Sequence, residues 1–159
     1  MRSIHSLLLA LNNDYPEITF HSGTTFAWNP ATNTITYAPD DPNAAQFILH
    51  EVAHASLHHD LYDKDIELLQ MERDAWSYTT SHLSKEYGVT IDNEVQEEAL
   101  ESYREWLHSR SICPRCTQNG IQTTSHPSRY HCLACKQSWS TNEAKNCALR
   151  RYHTQHASS

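Results

Sequence analysis

The sequence predicts an α+β fold, a small antiparallel sheet packed on helices, with a separate small module after residue 109. Three observations lead there. A β-rich stretch near the start is broken by an Asn-Pro turn signal, three long helical runs follow, and charge and cysteine content both change near residue 110. Residues 1–109 hold 18 acidic side chains against five basic ones, a net −13. Residues 110–159 hold seven basic against one acidic, a net +6, together with all five cysteines. Such a reversal argues for two units with different partners, 1–109 and 110–159.

The elements follow in order. Residues 4–11 have helical apolar spacing and end at Asn12-Asn13. Residues 18–28 and 34–38 are β-rich and joined by Asn29-Pro30-Ala31-Thr32-Asn33, which predicts a hairpin. Asp41-Pro42 reads as N-cap and first position of a helix through about residue 59. A second helix is expected over 64–87, stopped by Gly88 as C-cap, and Asp92 caps a third over 93–108.

Composition excludes several classes of function. No run approaches the roughly 18 apolar residues of a membrane span. The apolar piece at 7–11 is too short for a signal peptide and no small-x-small site follows it, so the chain reads as cytoplasmic. Gly23, Gly88 and Gly120 are the three glycines, too scattered for a phosphate loop, a dinucleotide fingerprint or a nucleophile elbow. Histidine is over-supplied, 12 of 159, beside five cysteines, which without an export signal points to metal before disulfides.

His50-Glu51-Val52-Ala53-His54 stands within the first long helix. Residues four apart share a helix face, so both imidazoles can converge on one ion. Glu51 then reaches water rather than metal, the arrangement a zinc peptidase needs in its general base. A shuffled chain of this composition shows the pattern with a probability of about 0.06, so the surroundings must strengthen it. They do, since Phe47, Ile48, Val52, Ala55 and Leu57 give the helix an apolar environment.

Catalytic zinc keeps three protein ligands and one open position, so a third ligand is needed. Leu57 and Asp60 stand where a metzincin has glycine and histidine, and without that glycine the helix is expected not to turn away. Asp60 remains a formal option. His58 and His59 come too early on the same helix to close the site and are expected to flank the cleft or face solvent. The better candidate is Glu72 on the next helix, with Glu67 as the fallback; small Ala75 one turn on would allow close helix approach.

These segments, His50-Glu51-Val52-Ala53-His54-Ala55-Ser56-Leu57-His58 and Glu72-Arg73-Asp74-Ala75-Trp76-Ser77-Tyr78, resemble the ImmA/IrrE family of small zinc metallopeptidases. The resemblance covers roughly residues 18–85. It implies a gluzincin-type site with His50, His54 and Glu72 as ligands and Glu51 as base. It also implies hydrolysis of a peptide bond, often in a transcriptional repressor or regulator. Val52-Ala53 replaces the commoner Leu-Gly, and Trp76 stands where many gluzincins place an Asp or Asn, the usual partner of a ligand histidine; Asp74 is the nearest substitute. Such peptidases bind substrate as an added strand, for which Thr34-Ile35-Thr36-Tyr37 offers a candidate edge. Tyr78, His58, His59 and Tyr62 are candidate oxyanion donors.

In the second module Cys113-Pro-Arg-Cys116 and Cys132-Leu-Ala-Cys135 have the spacing of a tetrahedral Cys₄ zinc site. Chance agreement with that pattern is on the order of one in ten thousand. With Gly120 and Tyr130-His131 in place, a structural zinc ribbon is predicted, making two zinc ions per chain, and Cys147 is left as a free thiol. Arg115, Arg129, Lys136, Arg150 and Arg151 offer phosphate contacts, and Tyr130, Trp139 and Tyr152 offer stacking faces, so the ribbon is expected to recruit DNA or a protein substrate. A peptidase followed by a ribbon is also similar to the SprT-like/Spartan proteases, but those carry a third histidine before a glycine, and no His-Gly occurs here. The rival class is a non-enzymatic DNA-binding or regulatory zinc protein on a degenerate peptidase fold.

Overall fold

The computed structural model describes residues 2–125, 128–141 and 151–153. It is an α+β chain with small sheets, and its contacts group into two compact units. One comprises Met1–Leu61 with Met71–Glu98, the other Tyr62–Gln70 with Ala99–Ser159. The division expected at 109/110 therefore falls inside the second unit, which also takes in residues 62–70.

In the first unit α1 (Ile4–Asp14) starts at Ser3, whose hydroxyl accepts the Ser6 N–H at 3.1 Å, and buries Leu7 and Leu11. The sheet corrects the expected antiparallel one. Residues 18–28 form two strands, β1 (Thr19–Ser22) and β2 (Ala27–Asn29), on opposite sides of β3 (Thr34–Tyr37). β1 pairs with β3 in parallel and β2 pairs with it antiparallel. The physical reason is length: a four-residue strand cannot pair along an eleven-residue one. The first segment leaves the ladder at Gly23, whose N–H still bonds the Tyr37 carbonyl at 2.7 Å. Using both sides of β3 satisfies its backbone groups, as burial of Ile35 demands. The predicted hairpin turn does form between β2 and β3, where the Asn29 side chain accepts the Ala31 N–H at 3.0 Å and Asn33 takes φ +49°. β3 is thus the central strand and offers no edge; the edges are β1 and β2.

Asp41 caps a turn before α2 (Ala44–Ser56), its carboxylate accepting the Asn43 N–H at 2.7 Å. The helix buries Ile48, Leu49, Val52 and Ala53 in one core with Leu7, Leu11, Ile18 and Ile35. It ends earlier than the predicted residue 59. Leu57 is the C-cap and His58 adopts φ +56°, the left-handed conformation a terminating glycine usually supplies. The helix therefore does turn away without glycine, and His58 and His59 lie beyond it.

The second long helix is α3 (Asp65–Tyr78), continued by a π-helical segment (Thr79–Leu83) and α4 (Ser84–Tyr87). Gly88 closes it at φ +65° as predicted. Asp92 accepts the Glu94 N–H at 2.9 Å before α5 (Asn93–Ser111), which runs three residues past the predicted end. In the second unit β4 (Ile121–Ser125), β5 (Ser128–His131), β6 (Ser138–Thr141) and β7 (Arg151–His153) form an antiparallel sheet in chain order. No helix among the described residues is long and apolar enough to cross a membrane.

Candidate functional site

Two turns of α2 and one residue of α3 build the first cluster. His50 and His54, one turn apart, bring their Nε2 atoms within 3.1 Å. Glu72 meets both: Oε2 lies 2.8 Å from His50 Nε2 and Oε1 lies 3.0 Å from His54 Nε2. Ala75, fully buried one turn on from Glu72, leaves room for this approach. All three ligand-type residues are buried, so their lone pairs have each other and no bulk solvent. Around a tetrahedral ion with bonds of about 2.0–2.1 Å, donor atoms stand about 3.3 Å apart. The spacing here, 2.8–3.1 Å, fits a three-point grip on one small dication. Of the alternatives for third ligand, Asp60 is exposed and outside the cluster. Glu67 belongs to the second unit, where it accepts the Asp63 N–H at 2.8 Å.

The charges respond to this packing. Burial opposes ionisation of Glu72, but hydrogen bonds from His50 and His54 overcome it and hold the carboxyl far below the usual range. Burial likewise works against a charged His54, and its hydrogen bond to Glu72 outweighs that and raises it. Glu51 is 9% exposed and has no such bond to an imidazole. Burial pushes its carboxyl up, against the opposing pull of His50 and His54 and of the Trp28 backbone N–H. The cluster thus pairs an ionised Glu72 carboxylate with a neighbouring Glu51 carboxyl of raised basicity.

The outer contacts differ between the two histidines. His50 stacks on Trp76 at 4.2 Å between ring centroids, and both His50 Nδ1 and Trp76 Nε1 are buried without a hydrogen-bond partner among the described residues. His54 Nδ1, by contrast, lies 2.8 Å from His59 Nδ1. His59 is set by the left-handed turn at His58, by its own N–H to the His54 carbonyl at 2.9 Å, and by the Trp28 indole, which donates to its carbonyl at 3.1 Å. Burial first and the His54 charge next hold the His59 imidazole below its ordinary value, with Asp74 opposing them. The sequence could place His59 near the cleft; its role as partner of His54 depends on a backbone conformation that no spacing rule encodes.

A cleft of about 590 Å³ opens beside the cluster, lined in part by Tyr15, Trp28, Ser56, His59 and Tyr78. Of the candidate oxyanion donors, Tyr78, His58 and His59 line this cleft, while Tyr62 belongs to the second unit.

The second cluster unites Cys113, Cys116, Cys132 and Cys135, none disulfide-bonded. Each Cys-x-x-Cys turn is built alike. The fifth residue, Thr117 or Lys136, takes φ +66° and donates its N–H to the carbonyl of the first cysteine, at 3.0 and 2.9 Å. The first cysteine's own N–H bonds the carbonyl of Gln118 or Gln137 at 2.8 Å. Sulfurs on tetrahedral zinc stand about 3.8 Å apart. Here Cys113–Cys135 is 3.5 Å, Cys116–Cys132 is 3.4 Å, and all four lie within 4.8 Å. The backbone N–H of Cys135 leads in lowering the Cys132 thiol to about 7, so this sulfur is ready to ligate near neutrality. Cys116 is pushed up to about 12: the Gln118 backbone N–H favours its thiolate, but the Cys132 thiol and burial prevail. Cys147 lies outside the described residues.

The predicted nucleic-acid residues are described only in part. Arg115, Arg129 and Lys136 are exposed. Arg150 lies outside the described residues, and of Arg151 and Tyr152 only the backbone in β7 is described. Tyr130 and Trp139, expected as stacking faces, are instead buried core, stacked on each other at 5.8 Å. Their polar ends are spoken for: the Trp139 indole donates to the Arg110 carbonyl at 2.9 Å, and the Tyr130 hydroxyl donates to Asp65 at 2.6 Å. Asp65 also accepts from Arg110 at 2.9 Å, which ties residues 62–70 into this unit. Gly120 sits under the Trp139 ring, which a Cβ would strike, so its role is close packing. Compared with protein-family models, curated proteins and solved structures, the chain matches none of them.

Proposed function

We propose that the chain is a cytoplasmic zinc metallopeptidase whose first unit is similar to the ImmA/IrrE peptidases and whose cysteine unit is a structural zinc ribbon. The observation that carries this reading is the convergence of His50, His54 and Glu72 on one point, with Glu51 buried beside the two histidines on α2. His50, His54 and Glu72 would hold a zinc ion, which would supply Lewis acidity toward a peptide carbonyl and a water. Glu51 is the base: its carboxylate takes the proton of the attacking water and returns it to the departing amide nitrogen. The raised basicity of Glu51 suits that exchange near neutral pH. His59 holds the His54 ring in its ligating orientation, and burial of the cluster limits competing water.

Metal analysis of the purified chain should give two zinc ions. Glu51→Gln should keep both and lose cleavage of an unfolded protein mixture. A chain carrying only the cysteine-bound zinc, or a Glu51→Gln variant that still cleaves, refutes the reading and leaves the non-enzymatic alternative.

For the ribbon, exposed Arg115, Arg129 and Lys136 support recruitment of DNA through phosphates or of an acidic protein surface. Burial of Tyr130 and Trp139 removes base stacking by those two rings from that proposal. Duplex DNA binding should then be weak, insensitive to sequence and steeply salt-dependent; affinity that ignores salt would overturn it.

A further inference from the structure

The cleft beside the first cluster has a composition that the proposed chemistry does not use. It starts from the ligand helix itself, with Ala55 and Ser56 directly after His54, and it borders His59. The cleft meets the cluster through His59, whose ring lies 2.8 Å from His54, so on the hydrolase reading it is the cavity nearest a peptide's neighbouring side chain among those described. Its walls are the half-buried rings of Tyr15, Trp28 and Tyr78, and exposed Glu17 and Asp60 add two carboxylates. No lysine or arginine is among its lining residues.

We infer that the substrate residue seated in this cleft carries a long basic side chain, arginine in preference to lysine. This rests on the hydrolase reading above. Aromatic faces receive the apolar stem and attract the cation, and the planar guanidinium matches a carboxylate with two parallel hydrogen bonds. The Trp28 indole N–H is already committed to the His59 carbonyl, so that ring offers a fixed face and not a competing donor. A volume of about 590 Å³ accommodates an extended arginine together with part of the peptide that carries it. The wider field agrees: residues 1–61 and 71–98 hold 13 acidic side chains and three basic ones, so a cationic segment is drawn in and an acidic one repelled. An apolar occupant would satisfy the rings but would desolvate two carboxylates without compensation.

The zinc-loaded full chain should be incubated with a peptide library derived from a digested proteome, and the cut sites read by mass spectrometry. Arginine, then lysine, should be enriched at one fixed position relative to the cut. For a peptide bearing arginine there, replacement by citrulline, its neutral isostere, should lower kcat/KM at least tenfold. In the Glu17→Gln/Asp60→Asn variant that ratio should shrink to within about threefold. Cleavage with apolar residues, or none, enriched near the cut overturns the inference while leaving the hydrolase reading intact. If no peptide is cut, the hydrolase reading fails, and binding decides the inference separately. A labelled arginine-containing peptide should bind the zinc-loaded chain at least tenfold tighter than its citrulline twin, a difference the double variant removes; equal binding overturns the inference.

Discussion

Replacing His59 by alanine tests whether the outer contact of His54 sets the strength of the metal site proposed at His50, His54 and Glu72. A His54 that ligates through Nε2 carries its proton on Nδ1 and donates it to His59 Nδ1, 2.8 Å away. His59 is suited to accept, since burial first and the His54 charge next hold its imidazole below the ordinary value. An ordinary hydrogen bond contributes about 0.5–1.5 kcal/mol, and one made by a ring that shares a dication's charge contributes about twice that. Loss of such a partner lowers metal affinity by about 10- to 100-fold, or about 1.4–2.7 kcal/mol. His50 offers no compensation, because its Nδ1 has no hydrogen-bond partner among the described residues. Competition with a chromophoric chelator gives the zinc affinity, and cobalt substitution separates the sites, since only the cysteine site has thiolate-to-cobalt charge transfer. His59→Ala should weaken the nitrogen/oxygen site alone, and His59→Asn, which keeps an acceptor, should recover part of the loss. An affinity within twofold of the parent in a folded His59→Ala protein would show that the contact is incidental.

The cysteine unit makes two further predictions. Cys132→Ser should abolish the cobalt charge-transfer band and lower the melting temperature of the second unit, and chelation of the parent should reproduce both effects; a metal-free unit that melts unchanged would contradict a structural metal. Tyr130 governs the alkaline limb, because burial first and the adjacent Asp65 next raise its hydroxyl well above the usual value. The unfolded chain releases that proton near pH 10 and the folded one does not, so the folded state binds more protons there. Stability should hold below about pH 10 and fall above it, and Tyr130→Phe should flatten the fall in chemical denaturation across that range. Tyr87, raised by burial and by its bond to Asp14, should contribute the same trend in the first unit.

What was legible in the sequence was chemistry written within a turn or two of chain. Gly88 and Asp92 terminate and start helices where their backbone and side-chain preferences place them. His50 and His54 meet because helical periodicity is local, and the paired Cys-x-x-Cys turns need only their own amides. Glu72 was legible as a carboxylate on the next helix with small Ala75 one turn on, and the burial of Ala75 is consistent with that close approach. The errors concern partners far apart in sequence. β-propensity over residues 18–28 did not reveal that β1 and β2 would take opposite sides of β3, since pairing is set by the whole sheet. Tyr130 and Trp139 looked like stacking faces because aromatic rings serve surfaces and cores alike; Asp65, 65 residues away from Tyr130, is what accepts the hydroxyl and permits burial. His58 ended α2 in a conformation that favours glycine, and that choice delivers His59 to His54.

Trp28 ties several of these features together, and its substitution separates them. Its backbone N–H favours the Glu51 carboxylate, its indole N–H holds the His59 carbonyl, and its ring walls the cleft. Trp28→Phe keeps the backbone donor and most of the ring face but deletes the indole donor, a loss of about 1 kcal/mol. Zinc affinity at the first site should therefore fall in the same direction as in His59→Ala, by only about two- to fivefold, because the His59 ring remains in reach of His54. Combining the substitutions decides the route. With the imidazole already absent, Trp28→Phe has nothing left to position, so the double variant should bind zinc no more weakly than His59→Ala alone. Strict additivity would mean that Trp28 acts on the site through Glu51 or the strand itself, and that the indole–His59–His54 chain is not what orients the ligand.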